Sequence, residues 1–131
     1  MPTTNTTESS TAAVAKELVD LCRAGRNDDA VDKLYSEKIV SIEPVASGDM
    51  PAEQRGIDAV RGKNRWWAEN MVVHSADVAG PYIGDGEFAV YFNFETTFKP
   101  TGMRSTMKEM AKYTVADGKI VKEEFFYAPQ P

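Results

Sequence analysis

The sequence predicts an α+β fold: a cone-shaped α+β barrel in which three helices from the N-terminal half pack on the concave face of a curved, mostly antiparallel sheet. Three observations predict it. Helical apolar spacing is concentrated before residue 71, and two-residue alternation dominates after it. The last third, Glu87–Tyr127, reads as three long strands folded back and forth. It ends in the hairpin Lys108–Tyr127, where Asp117-Gly118 sits between arms rich in Val, Tyr, Phe and Ile. Helices covering one face of such a sheet favour strong curvature, with a conical cavity at the open end.

The elements follow in chain order. Residues 1–10 are rich in Thr, Ser and Asn without apolar periodicity and read as a disordered tail, leaving 11–128 as a single domain. Ser10 or Thr11 can cap a first helix that runs to about Ala24, with Val14, Leu18 and Leu21 as its apolar stripe. Gly25 ends it. A second helix starts at Asn27 or Asp28 and buries Ala30, Val31, Leu34 and Tyr35. Ile39–Glu43 is a short strand stopped by Pro44, and residues 45–54, with Gly48 and Pro51, form a loop. Gly56 leads into a third helix, Ile57–Asn70, with Ile57, Val60 and Trp67 as its stripe and Trp66 beside it. A strand covers Met71–Ile83, bent at Gly80-Pro81. After Gly84-Asp85-Gly86, a further strand sets Phe88, Val90, Phe92, Phe94, Thr96 and Phe98 on one face.

The final hairpin admits two registers. A two-residue loop pairs Val115 with Ile120 and Ala111 with Glu124; a three-residue loop with Gly118 as a left-handed bulge pairs Val115 with Lys119 and Ala111 with Glu123. The second is preferred because it collects Val115, Tyr113, Ala111, Val121, Phe125 and Tyr127 on one face, away from Lys112, Lys122, Thr114 and Glu124. That face then also carries Glu109 and Glu123, one diagonal step apart.

Bulk composition narrows the function. Fifteen Lys and Arg against 20 Asp and Glu give a net charge of -5, with no basic stripe for phosphate, which argues against a nucleic-acid partner. No apolar run approaches the ~20 residues of a membrane span, and no signal peptide is visible. The single cysteine, Cys22, allows no internal disulfide and fits a reducing, cytoplasmic setting. There is no phosphate loop and no dinucleotide fingerprint, and one His with one Cys offers no zinc set. Any chemistry is therefore expected to be acid–base work without a cofactor or metal.

The element order, together with Leu34-Tyr35 leading into Ile39–Pro44, Arg55-Gly56-Ile57-Asp58-Ala59-Val60-Arg61, and the ending Val115-Ala116-Asp117-Gly118-Lys119-Ile120-Val121, resembles the nuclear transport factor two-like superfamily over about Ala12–Tyr127. That group includes ketosteroid isomerases, SnoaL-type polyketide cyclases and scytalone dehydratase. In ketosteroid isomerases the general base is an acid before a proline at the end of the first strand; the resemblance puts Glu43, in Ile42-Glu43-Pro44, on that position. The positions of that family's oxyanion donors fall on Leu18 and Ala111, which cannot donate. The catalytic acid on the last strand of SnoaL-type cyclases has Phe125 as its counterpart, with Glu123 two residues earlier on the same face. The resemblance also implies a homodimer, for which Tyr91, Met110 and Phe126 offer an outward patch.

The candidate catalytic residues are Glu43, Glu109, Glu123 and His74. Two carboxylates in an apolar setting push one pKa up, giving an acid and a base, and His74 is the one side chain that ordinarily titrates near neutrality. Tyr113, Tyr127, Trp66, Phe125 and Phe92 are the candidate ligand-binding wall, suited to a small apolar or aromatic organic molecule, and a phenol among them can replace a missing oxyanion donor. Two functions remain open: a cofactor-independent isomerase, cyclase or lyase, and a non-catalytic ligand-binding protein.

Overall fold

The computed structural model describes residues 6–128. Three helices, α1 (Thr6–Arg23), α2 (Asn27–Leu34) and α3 (Ile57–Asn70), are interleaved with six strands: β1 (Tyr35–Ile42), β2 (Glu53–Arg55), β3 (Met71–Ile83), β4 (Glu87–Phe98), β5 (Met103–Ala116) and β6 (Lys119–Phe126). The strands form one open mixed sheet in the order β2-β1-β6-β5-β4-β3. Every neighbouring pair is antiparallel except β1 with β6. The helices pack on this curved sheet as a cone-shaped α+β fold, the expected class.

Periodicity explains the packing. Alternation along β4 turns Phe88, Val90, Phe92 and Thr96 inward, and all four are buried. The helical spacing of Val14, Leu18 and Leu21 brings one stripe of α1 down onto them, and α1 lies across β3, β4 and β5. Each large side chain so buried contributes about 1.5–3 kcal/mol against leaving it in water. Among the described residues, no helix is long and apolar enough to cross a membrane.

Several boundaries differ from those expected. Of the tail expected over residues 1–10, residues 1–5 lie outside the described residues, and α1 already begins at Thr6. Tyr35 opens β1 instead of closing α2, because the strand pairs with β6 from Tyr35 onward. The loop expected over 45–54 ends early: Glu53 and Gln54 belong to β2, which pairs with Ile42 and Ser41.

The hairpin register is also corrected. Ala116 pairs with Lys119, so the loop is the two residues Asp117 and Gly118, both with positive φ (53° and 75°). Asp tolerates the left-handed region and Gly favours it, so the two-residue primed turn wins over the three-residue loop. Val115 pairs with Ile120, but the next pair is Thr114 with Lys122, leaving Val121 as an extra residue in a β-bulge. Ala111 therefore pairs with Phe125, and Tyr113 with Glu123. The bulge lets Ile120 and Glu123 both point inward despite their odd spacing; they are 0% and 2% exposed. Glu109 consequently lies four residues along β5 from the residue opposite Glu123, farther than the single diagonal step expected.

Candidate functional site

Between the concave face and the helices lies a cavity of about 470 Å³. Its walls are mostly hydrocarbon and aromatic. Phe92 stacks on Phe94 (5.6 Å between centroids), and Trp67 of α3 packs against Phe94 at 6.2 Å. Phe92, Tyr113, Phe125, Tyr127 and Trp66, the expected wall, all border it, and so does Trp67, whose place on the helix stripe also suited plain core packing.

One side of the cavity holds a closed polar network. Ile39 and Ser41 of β1 and Glu43 just beyond its end alternate to the same side, and parallel pairing puts Ser41 beside Glu123 of β6. Ser41 Oγ donates to Glu123 Oε2 at 2.6 Å, and the Tyr35 hydroxyl donates to Glu123 Oε1. Lys63 comes down from α3. Its Nζ donates to Ser41 Oγ at 2.6 Å and to Glu43 Oε2 at 3.0 Å, and it stands 3.8 Å from Glu123 Oε2. The same ammonium lies 4.9 Å from the centre of the Phe125 ring. Tyr127 donates its hydroxyl to Glu43 Oε1 at 2.8 Å. Two carboxylates thus share one ammonium and three hydroxyls. Burial, and next the nearby Glu123 charge, hold the Tyr35 hydroxyl well above its usual pKa, so it remains a donor. Burial and the bond to Glu43 do the same for Tyr127. Burial, reinforced by Glu123, pushes the Cys22 thiol up to about 12, which leaves it neutral and unreactive.

The other side holds Glu109 of β5. It sits opposite Phe92 of β4 and borders the cavity, yet makes no hydrogen bond or ion pair with any described residue. Burial raises its pKa to about 7, the Glu43 charge adds to the rise, and Lys63 partly offsets it. The Tyr113 hydroxyl also borders the cavity and makes no hydrogen bond to a described residue; burial keeps it protonated.

The structure therefore brings Glu43, Glu109 and Glu123 to one cavity but gives them unlike surroundings. It separates His74, whose strand could have carried it either to the cavity or to an outer face and which does not border the cavity. A break in the β3–β4 register between Val73 and Ser75 leaves His74 exposed, 2.7 Å from Thr97 Oγ1. Arg55 pairs with Glu53 at 2.7 Å, and Glu43 is held by Lys63 and Tyr127. Sequence reasoning missed Lys63, Ser41 and Tyr35. The signal for Lys63 was present: it falls three residues after Val60 and four before Trp67, on the inward stripe of α3. Ser41 shares the alternation of Ile39 and Glu43. Among the described residues no cluster of three or more His, Cys, Asp and Glu side chains is placed to hold a metal ion.

Comparison with known proteins places this architecture. A solved Mesorhizobium loti protein, assigned provisionally as a SnoaL-like polyketide cyclase, is 40% identical; the match covers 88% of this chain and 97% of that one, with a TM-score of 0.84. A Bacillus subtilis protein assigned provisionally as an isomerase shares the fold at 15% identity, covering 94% and 89% of the two chains, with a TM-score of 0.74. So does a Catenulispora acidiphila protein of ketosteroid isomerase-like fold, solved in complex with trimethylamine, at 11% identity, 88% and 85% coverage and a TM-score of 0.68. A comparison with curated proteins finds no match. The profile of the SnoaL-like domain matches residues 9–127, nearly the whole chain. The chain belongs to the SnoaL-like domain family.

Proposed function

We propose that this protein is a cofactor-independent isomerase, cyclase or lyase that moves a proton on a small organic molecule held in the cavity, with Glu109 as the transferring group. The observation that carries the reading is the Glu109 carboxyl, without a partner among the described residues and with its pKa raised to about 7 by burial. A group half-ionised near neutrality can take a proton from carbon and return it elsewhere, and positioned proton transfer contributes about 10²–10⁴-fold in rate. The Glu109 carboxylate would accept a proton from the carbon beside a carbonyl. The free Tyr113 hydroxyl would hydrogen-bond the enolate oxygen, in place of the donors that Leu18 and Ala111 cannot supply. Return of the proton to another carbon completes an isomerisation; attack of the enolate on a second carbonyl, with the proton held by Glu109 passing to the new alkoxide oxygen, completes a cyclisation. Glu43, already bound by Lys63 and Tyr127, is the second carboxylate within reach. Glu123 is committed to Tyr35 and Ser41 and holds the network in place.

A second reading is a non-catalytic pocket protein, favoured by the buried, donor-free Leu18 and Ala111. A metabolite library screened by thermal shift, with mass spectrometry of each hit after incubation, separates the two. Turnover by the wild type but not by Glu109→Gln supports the enzyme; hits that raise Tm and return unchanged support the binder. We further expect a homodimer through the outer sheet face. There Tyr91 pairs with Met110 and Met110 with Phe126, and Met110 and Phe126 are exposed. Sedimentation at micromolar concentration tests it, with Phe126→Lys expected to give monomers.

A further inference from the structure

We infer that the cavity takes an organic cation: a flat apolar molecule bearing one protonated amine, with the ammonium seated against Glu109 between the rings of Phe92 and Tyr127. The inference rests on the reading that the cavity holds a small molecule with Glu109 facing it, and it names the chemical class of that molecule.

The charge inventory points this way. Asp28, Glu43, Glu109 and Glu123 line the cavity, and Lys63 is the one cation among the described lining residues. Lys63 is not free to receive an anion: it already donates to Ser41 and Glu43 and stands beside Glu123. A ligand carboxylate or phosphate would enter a site with surplus negative charge and no available counter-ion. A neutral ligand would fill the aromatic walls but leave the Glu109 carboxylate desolvated and unpaired whenever it ionised. An ammonium supplies the missing counter-charge. The rings of Phe92 and Tyr127, which border the same cavity, add to it, because the face of an aromatic ring attracts a cation at close range. Position supports the same contact: Phe92 is the direct cross-strand neighbour of Glu109, and Tyr127 follows Phe126, the partner of Met110.

The groups facing Glu109 are Glu43 from beyond β1, Lys63 from α3, Glu123 from β6, Tyr127 from beyond β6, and Tyr113 on its own strand. Cys22 of α1 lines the same cavity. Burial and Glu43 hold the Glu109 pKa up at about 7, and an incoming cation reverses that tendency. Cation binding therefore draws on the ionised form and releases a proton below pH 7.

The test is calorimetric titration with three molecules of one shape: 2-naphthylmethylamine, 2-naphthylmethanol and 2-naphthoate. At pH 7.5 the amine should bind at least about tenfold more tightly than the alcohol, as charge-assisted hydrogen bonds do, with naphthoate weakest. Amine affinity should rise with pH, by about tenfold per unit well below pH 7 and levelling above it, while the alcohol stays flat. Glu109→Gln should bring amine and alcohol to the same affinity. Removing an unpaired carboxyl from an apolar setting should not impair folding, so the variant remains informative. An alcohol that binds as well as the amine, or an amine preference that survives Glu109→Gln, overturns the cation inference but leaves the small-molecule cavity standing. Failure of all three molecules to bind overturns both.

Discussion

The two sides of the cavity handle carboxylates in opposite ways. Glu123 is nearly inaccessible, yet both of its oxygens are hydrogen-bonded and an ammonium stands beside it. Glu109 is less enclosed but has no partner among the described residues. A buried charge is costly unless it is paired and hydrogen-bonded, so the first arrangement is a way of tolerating a charge and the second a way of suppressing one. The contrast separates structure from chemistry. A satisfied network fixes positions and resists change, whereas an unsatisfied carboxyl stores an unmet demand that a ligand or a proton can fill.

The largest effect that can break the comparison comes from Lys63→Met. It leaves Glu43 and Glu123 facing each other without a counter-ion, and breaking a buried pair from one side costs about 3–5 kcal/mol. Urea unfolding at pH 7 should show a loss of that order, much of it recovered by combining Lys63→Met with Glu123→Gln. A loss under ~1 kcal/mol would mean that the network is ornamental. Because Lys63 lowers the Glu109 pKa, the same variant should also move the Glu109 titration upward.

Glu109→Gln should act in the opposite direction. A carboxyl whose folded pKa is raised binds its proton more tightly in the folded state. Stability is then unaffected below the unfolded value, near 4.5, and falls as pH rises toward about 7. The wild type should lose up to about 3 kcal/mol across that window, by the linkage of one pKa unit to about 1.4 kcal/mol. Glu109→Gln should lose none of it and be the more stable protein at pH 8. Denaturant midpoints of the two proteins from pH 4 to pH 8 read this directly, and parallel curves would show that Glu109 is not held neutral. Tyr35→Phe should come next. It strips one donor from the buried Glu123 and should cost about 1–3 kcal/mol without changing the pH dependence that Glu109 sets.

The helix stripes and the alternation of β4 were plain in the sequence, because amphipathic spacing reports directly which side of an element is covered. The bulge at Val121 was not. Both registers weighed for the hairpin assume an unbroken ladder, and an inserted residue shifts every later pair. Glu123, Phe125 and Tyr127 nonetheless border the cavity, because the bulge shifts the alternation by one residue beyond it. Glu43 and Glu109 were legible as acids on covered faces. What distinguishes them was not, since it depends on Lys63 arriving from a helix some twenty residues away in sequence. A lysine on an apolar stripe is easily read as a solvated edge of the helix; only the carboxylates opposite it turn it inward.

His74 provides the smallest effect and the sharpest check on where the boundary of the site lies. By residue type alone it was a candidate, since imidazole titrates where enzymes work, although a lone histidine is more often structural. Its position removes the advantage. It is exposed on β3, bonded to Thr97 Oγ1, and does not border the cavity that Glu43, Glu109 and Glu123 share. An exposed hydrogen bond of this kind contributes little, so His74→Ala should change stability by less than about 0.5 kcal/mol. It should also leave the 2-naphthylmethylamine affinity and its pH dependence unchanged. A pH profile that flattened in His74→Ala and persisted in Glu109→Gln would transfer the titrating role to the outer face of β3, and the contrast between the two sides of the cavity would then describe packing alone.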